Sequence, residues 1–86
     1  MTQLWPDGQP ILVELDEHSR PVSFRWLGRT YRLGQLIQQR QVDTDWWQPQ
    51  GRVWRDYYTL ITTCGLLCTL VYDHLADAWR LIRLYD

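Results

Sequence analysis

The chain has 86 residues, ten acidic and nine basic, for a formal net charge of -1. Every basic residue is Arg, and six Trp, five Tyr and one Phe supply the aromatic content. This length suits one domain, 45% hydrophobic and 22% charged residues exclude a disordered tail, and the balanced charge excludes a protein that coats nucleic acid by bulk attraction.

Residues 1–10 hold Pro6, Gly8 and Pro10 without periodicity and read as an irregular lead-in. They carry no basic and apolar leader pattern, and no apolar run approaches the ~20 residues that cross a bilayer, so the expectation is cytoplasmic with no membrane contact. Ile11–Leu15 is a strand candidate, followed by a polar turn from Asp16 to Arg20 that ends at Pro21. Val22–Trp26 and Arg29–Leu33 alternate strictly around Leu27-Gly28, which predicts a two-residue hairpin. That register sets Trp26 opposite Arg29, Phe24 opposite Tyr31 and Val22 opposite Leu33. It buries Val22, Phe24, Tyr31 and Leu33 and leaves Arg25 and Arg32 outside, with Arg29 at the tip. Residues 34–41 mix Leu36 and Ile37 with Gln and admit one helical turn or a bent strand.

Trp46-Trp47 leads into a loop with Pro49 and Gly51. Val53–Thr62 and Leu66–Asp73 flank Thr63-Cys64-Gly65 and predict a three-residue hairpin with Gly65 left-handed. The register pairs Leu60 with Cys68, Tyr58 with Leu70 and Asp56 with Tyr72. It places Cys64 in the loop and Cys68 in a strand, which disfavours a disulfide between them. Trp79–Tyr85 closes the chain as a strand, with Trp79, Leu81, Arg83 and Tyr85 on one face and Arg80, Ile82 and Leu84 on the other. The expectation is an all-β domain over residues 11–86, a five- to six-stranded antiparallel barrel of SH3-like or OB-like type, with at most one helical turn near 34–40.

The ordered set Phe24-Arg25-Trp26, Gly28-Arg29, Tyr31-Arg32-Leu33, Trp46-Trp47, Arg55-Asp56-Tyr57-Tyr58, Gly65-Leu66-Leu67, Trp79 and Tyr85-Asp86 resembles a small bacterial family of unknown function. That family occurs as stand-alone proteins and at the C-terminus of ImuB-type proteins, relatives of Y-family DNA polymerases used in damage-induced mutagenesis. The resemblance spans residues 11–86 and implies a setting in DNA repair and translesion synthesis, with no catalytic residue to carry over. Two positions depart from the pattern: Ser19 stands where Gly is expected, and a Trp expected near Arg40 is missing.

No enzyme chemistry is assembled by the spacing. Asp43 and Asp45 are a carboxylate pair without a partnering base, His74 reads as a solvated turn residue, and Cys64 and Cys68 lack the second ligand pair a zinc site needs. No cofactor or metal is expected. Two binding classes remain. Trp, Tyr and Arg are enriched at protein-docking hot spots, and an open barrel edge accepts a partner's strand. Alternatively, Arg and exposed aromatics on a small barrel bind single-stranded nucleic acid. The residues expected to carry either function are Arg25, Arg29, Arg32, Trp46, Trp47, Arg52, Arg55 and Tyr57. The expected partner is a DNA polymerase or repair protein, or single-stranded DNA.

Overall fold

A computed structural model describes residues 2–43 and 53–85. The described residues form seven strands: β1 (Thr2–Pro10), β2 (Leu12–Leu15), β3 (Pro21–Trp26), β4 (Arg29–Asp43), β5 (Trp54–Thr62), β6 (Leu67–Asp73) and β7 (Ala78–Tyr85). All pairings are antiparallel, in the order β1-β7-β6-β5-β4-β3-β2. The strand count exceeds the five or six expected, because the segment read as an irregular lead-in is β1, paired along β7. Residues 34–40 hold no helical turn and lie within β4.

Two corners curl this sheet into a half-barrel. β1 and β2 occupy opposite edges of the sheet yet are separated only by Ile11, so the edges must meet there. Pro10 pairs with Arg80 of β7, while Leu12 pairs with Arg25 of β3. Ile11 is buried at this junction, and its N–H donates to the Trp79 carbonyl at 3.3 Å. Trp5 packs edge-on against Trp26 close by, with centroids 5.0 Å apart. The second corner is in β4, which pairs with β3 through Arg32 and with β5 from Leu33 onward. Gly34 sits at that change of partner. A Cβ there would lie 2.9 Å from the Ile61 carbonyl oxygen, so the close approach requires glycine.

The core fills the concave side. Ile11, Phe24 and Tyr31 meet Leu60, Cys68, Leu70, Leu81 and Leu84, and Trp26, Leu33 and Trp79 pack against them. Both hairpin registers match expectation: Phe24 opposes Tyr31 and Trp26 opposes Arg29, while Leu60, Tyr58 and Asp56 oppose Cys68, Leu70 and Tyr72. Gly65 has φ of 91°. Two details differ. Val22 is 37% exposed rather than buried, because β4 leaves β3 after Arg32 and Leu33 pairs with Thr62 instead. In β7, a bulge at Ile82 shifts the alternation, since Thr69 opposes Arg83 while Leu70 opposes Leu81. Leu81 and Leu84 therefore both enter the core, and Arg83 stands on the outer face.

A candidate binding face on the outer sheet

The outward side chains of β4, β5, β6 and β7 form cross-strand rows. Arg40, Tyr57, Val71 and Arg80 make one row, Gln38, Thr59, Thr69 and Arg83 the next, and Val42, Arg55 and Asp73 a third. Neighbouring strands lie about 4.8 Å apart, so four strands bring Arg40, Arg55, Arg80 and Arg83 around Tyr57. Thr59 and Thr69 hydroxyls sit 3.3 Å apart across the β5–β6 pair. An open depression of about 420 Å³ is lined by Gln38, Arg40, Tyr57, Thr69 and Arg83 among others. A smaller one of about 180 Å³ adjoins it through Tyr57 and Ile82, walled by Pro6 and Asp7 of β1.

The Arg side chains are differently held. The Arg55 Nε lies 3.6 Å from the Asp73 carboxylate, partly neutralising that corner. Arg83 donates to the Tyr85 hydroxyl at 2.9 Å and lies over its ring. Arg80 passes beneath the β1 bulge, reaching the Asp7 carbonyl at 3.5 Å. Gly8, at φ of 78°, allows this, because a Cβ there would meet the Arg80 Cβ at 2.7 Å. Arg40 has no ion-pair partner among the described residues and stands exposed. Four Arg against Asp7 and Asp73 make this face cationic on a chain whose net charge is -1.

The expected site residues divide. Arg55 and Tyr57 belong to this face. Arg25, Arg29 and Arg32 are exposed but lie on the β3–β4 hairpin, where Arg29 covers the Tyr31 ring at 5.5 Å. Trp46, Trp47 and Arg52 lie outside the described residues. Sequence reasoning missed Arg40, Arg80 and Arg83. The first sits in a segment with ambiguous periodicity, and the bulge at Ile82 put the last two on one side of the sheet. The signal for Arg40 is its period-two spacing with Gln38 and Val42, which sets all three on one face once the segment is taken as a strand.

A second polar cluster occupies the opposite face at the open end of β5. His74 stacks on Trp54 with centroids 4.3 Å apart, meets Tyr72 edge-on, and holds the Asp56 carboxylate at 2.7 Å through Nε2. His74 is thus a half-buried, partnered side chain and not a solvated turn residue. Burial, then the nearby Asp56 carboxylate, raises the Tyr58 pKa. This His–Asp pair pins the β6–β7 turn to β5, as does the His74 N–H donating to the Trp54 carbonyl at 2.9 Å. Among the described residues no three His, Cys, Asp or Glu side chains gather to hold a metal, and no helix is long and apolar enough to cross a membrane. Cys64 is exposed and Cys68 buried, both as free thiols.

Comparison with curated proteins and with solved structures found no match. A family model described as a domain of unknown function, DUF6504, matches residues 6–86. With nearly the whole chain covered, from β1 through β7, this protein belongs to the DUF6504 family.

Proposed function

We propose that this domain is a non-catalytic accessory module of translesion DNA synthesis and repair, and that it docks an acidic segment of a polymerase or repair protein. The gathering of Arg40, Arg55, Arg80 and Arg83 around Tyr57 on one open sheet face carries this reading. Arg and Tyr are residue types enriched at docking hot spots, and a local cationic patch steers an acidic partner even on a near-neutral chain. The repair setting rests on the resemblance to the segment appended to ImuB-type proteins. A photo-crosslinker placed at Tyr57 in cells exposed to DNA damage is expected to capture a polymerase or repair protein, with loss of capture in Arg40→Ala/Arg83→Ala. Identical captures from parent and double variant would remove this face from consideration.

Single-stranded DNA is the second reading. It is favoured by Tyr57, which presents a ring among planar guanidiniums that bridge phosphate oxygens. A labelled oligonucleotide then binds with an affinity that falls with salt, by a slope of about -0.7 per phosphate contact. Tyr57→Ala costs about 1–3 kcal/mol of that binding if a base stacks there. Absence of binding at low salt eliminates this alternative and leaves protein docking.

A further inference from the structure

β4 is the longest strand, and β3 covers only its start. Pairing with β3 runs from Arg29 to Arg32, whereas pairing with β5 runs from Leu33 to Asp43. Among the described residues, the β4 edge facing away from β5 therefore carries no strand beyond Arg32. An open edge of this kind is a template for another strand, and proteins ordinarily cover or blunt it. Charged residues are sparse along it: Leu33 to Gln39 contains none.

The same stretch is opened sideways. Two register breaks interrupt the β4–β5 ladder and leave Gly34 and Ile37 without opposite residues. Bulges of this kind re-aim side chains and concentrate near functional sites. Where β3 ends, a cavity of about 460 Å³ lies beside the edge. Its apolar lining is Val22, Leu33, Leu36, Leu60 and the Tyr58 ring, continuous with the core through Leu60. Leu36 and Val22, 52% and 37% exposed, present apolar surface at the mouth of this cavity. Arg20 and Arg32 also line it.

We propose that the β4 edge from Leu33 to Gln41 accepts an extended strand of a partner protein, in the place β3 vacates. Backbone hydrogen bonds to the edge supply affinity, and alternate side chains supply specificity. The strand has period-two character, with a bulky apolar side chain entering the cavity over Leu60 and an acidic residue meeting Arg32, since the Arg20 Nε already lies 3.4 Å from the Asp16 carboxylate. This rests on the reading of the domain as a docking module but uses a different surface from the Arg40–Tyr57–Arg83 face.

The test uses the full chain and a short blocked peptide alternating glutamate with leucine or phenylalanine, titrated while backbone amide shifts are recorded. The expected result is shifts on Leu33–Gln41 and on the cavity wall, at Val22, Arg32, Tyr58 and Leu60, with Arg55 and Arg83 unmoved. N-methylation of alternate peptide nitrogens, which deletes ladder donors but keeps the side chains, abolishes binding. Leu36→Asp, at a half-exposed site outside the core, weakens it at least about tenfold. Arg55→Ala/Arg83→Ala, both on the outer face and off the β4 edge, leaves the edge response in place, which separates this proposal from the outer-face reading. The proposal is overturned if the shifts fall on Tyr57 and Arg83 alone, if the methylated peptide binds equally, or if the edge is already occupied by a second copy in a dimer that excludes the peptide.

Discussion

Phe24 is 1% exposed and stacks on Tyr31 with ring centroids 5.0 Å apart and planes 16° off parallel. Truncation leaves a void between the two layers of the curl, so Phe24→Ala should cost about 3–5 kcal/mol in chemical denaturation. Cys68 lies fully buried between Leu60 and Leu84, and burial pushes its thiol pKa up to about 12 from an ordinary value near 9. The folded state then keeps a proton that the unfolded chain releases. Stability from this group is complete below about pH 9 and falls as pH rises from there toward about 12. Tyr58 and Tyr72, also raised, add to the same alkaline loss, Tyr72 through its hydroxyl donating to Asp77. Denaturation midpoints recorded across that range check the slope, and Cys68→Ser, which removes the thiol, should flatten it. At neutral pH, alkylation of the native protein should label exposed Cys64 and spare Cys68. Phe24 and Tyr31 are legible as inward residues from alternation alone. Val22 is not, because its exposure depends on where β4 changes partner.

The turns show how local chemistry meets local strain. Leu27 and Gly28 both have positive φ, 50° and 77°, the pair of conformations a type I′ hairpin needs. Leu27 is 80% exposed, so its side chain contributes little packing while its backbone is held in a costly region. Leu27→Asn should raise stability by roughly 1 kcal/mol, read as an increased denaturation midpoint without change in slope. Ser19 is also left-handed, at φ of 61°, which explains why Gly is the residue expected there. The Asp16 carboxylate offsets that strain by accepting the His18 and Arg20 backbone N–H groups at 2.8 and 2.9 Å, and those bonds hold its pKa below the ordinary value. In the β5–β6 hairpin, buried Thr62 accepts the Leu66 N–H through its hydroxyl at 3.0 Å. The β6–β7 turn depends on a longer-range contact. Asp56→Ala leaves the His74 ring without its carboxylate in a half-buried setting and should cost about 1–3 kcal/mol. Hydrogen exchange of the residues around His74 and Leu75 should accelerate more than that of the β3–β4 hairpin.

At the scale of the molecule, curvature rests on two corners distant in sequence. Ile11 joins both sheet edges, so Ile11→Ala removes packing at the closure and should destabilise by about 2–5 kcal/mol. If the half-barrel is one cooperative unit, tryptophan fluorescence and far-ultraviolet dichroism should report coincident unfolding transitions in this variant. Separate transitions would mean that the β2–β3 arm opens independently of the β4–β7 sheet. The same architecture creates the two surfaces of interest. Three strands, β4, β5 and β7, carry the Arg cluster outward across β6, and the short β3 leaves the β4 edge beside an apolar recess.

The sequence by itself determined the all-β class, both tight hairpins and their registers, and the inward placement of Phe24 and Tyr31. These follow from period-two alternation and from glycines at positive φ, which act over a few residues. Tertiary structure decided the rest. Thr2–Pro10 has no strand pattern of its own and is extended because β7 offers it an edge. The change of partner at Gly34 and the bulge at Ile82 answer to curvature, since a sheet closing on its own core must skip residues where its strands bend. The skip at Ile82 brought Arg83 to the side where Arg40, Arg55 and Arg80 already point by alternation, and the pairing of β4 through β7 drew the four together, a grouping that spacing along the chain does not encode.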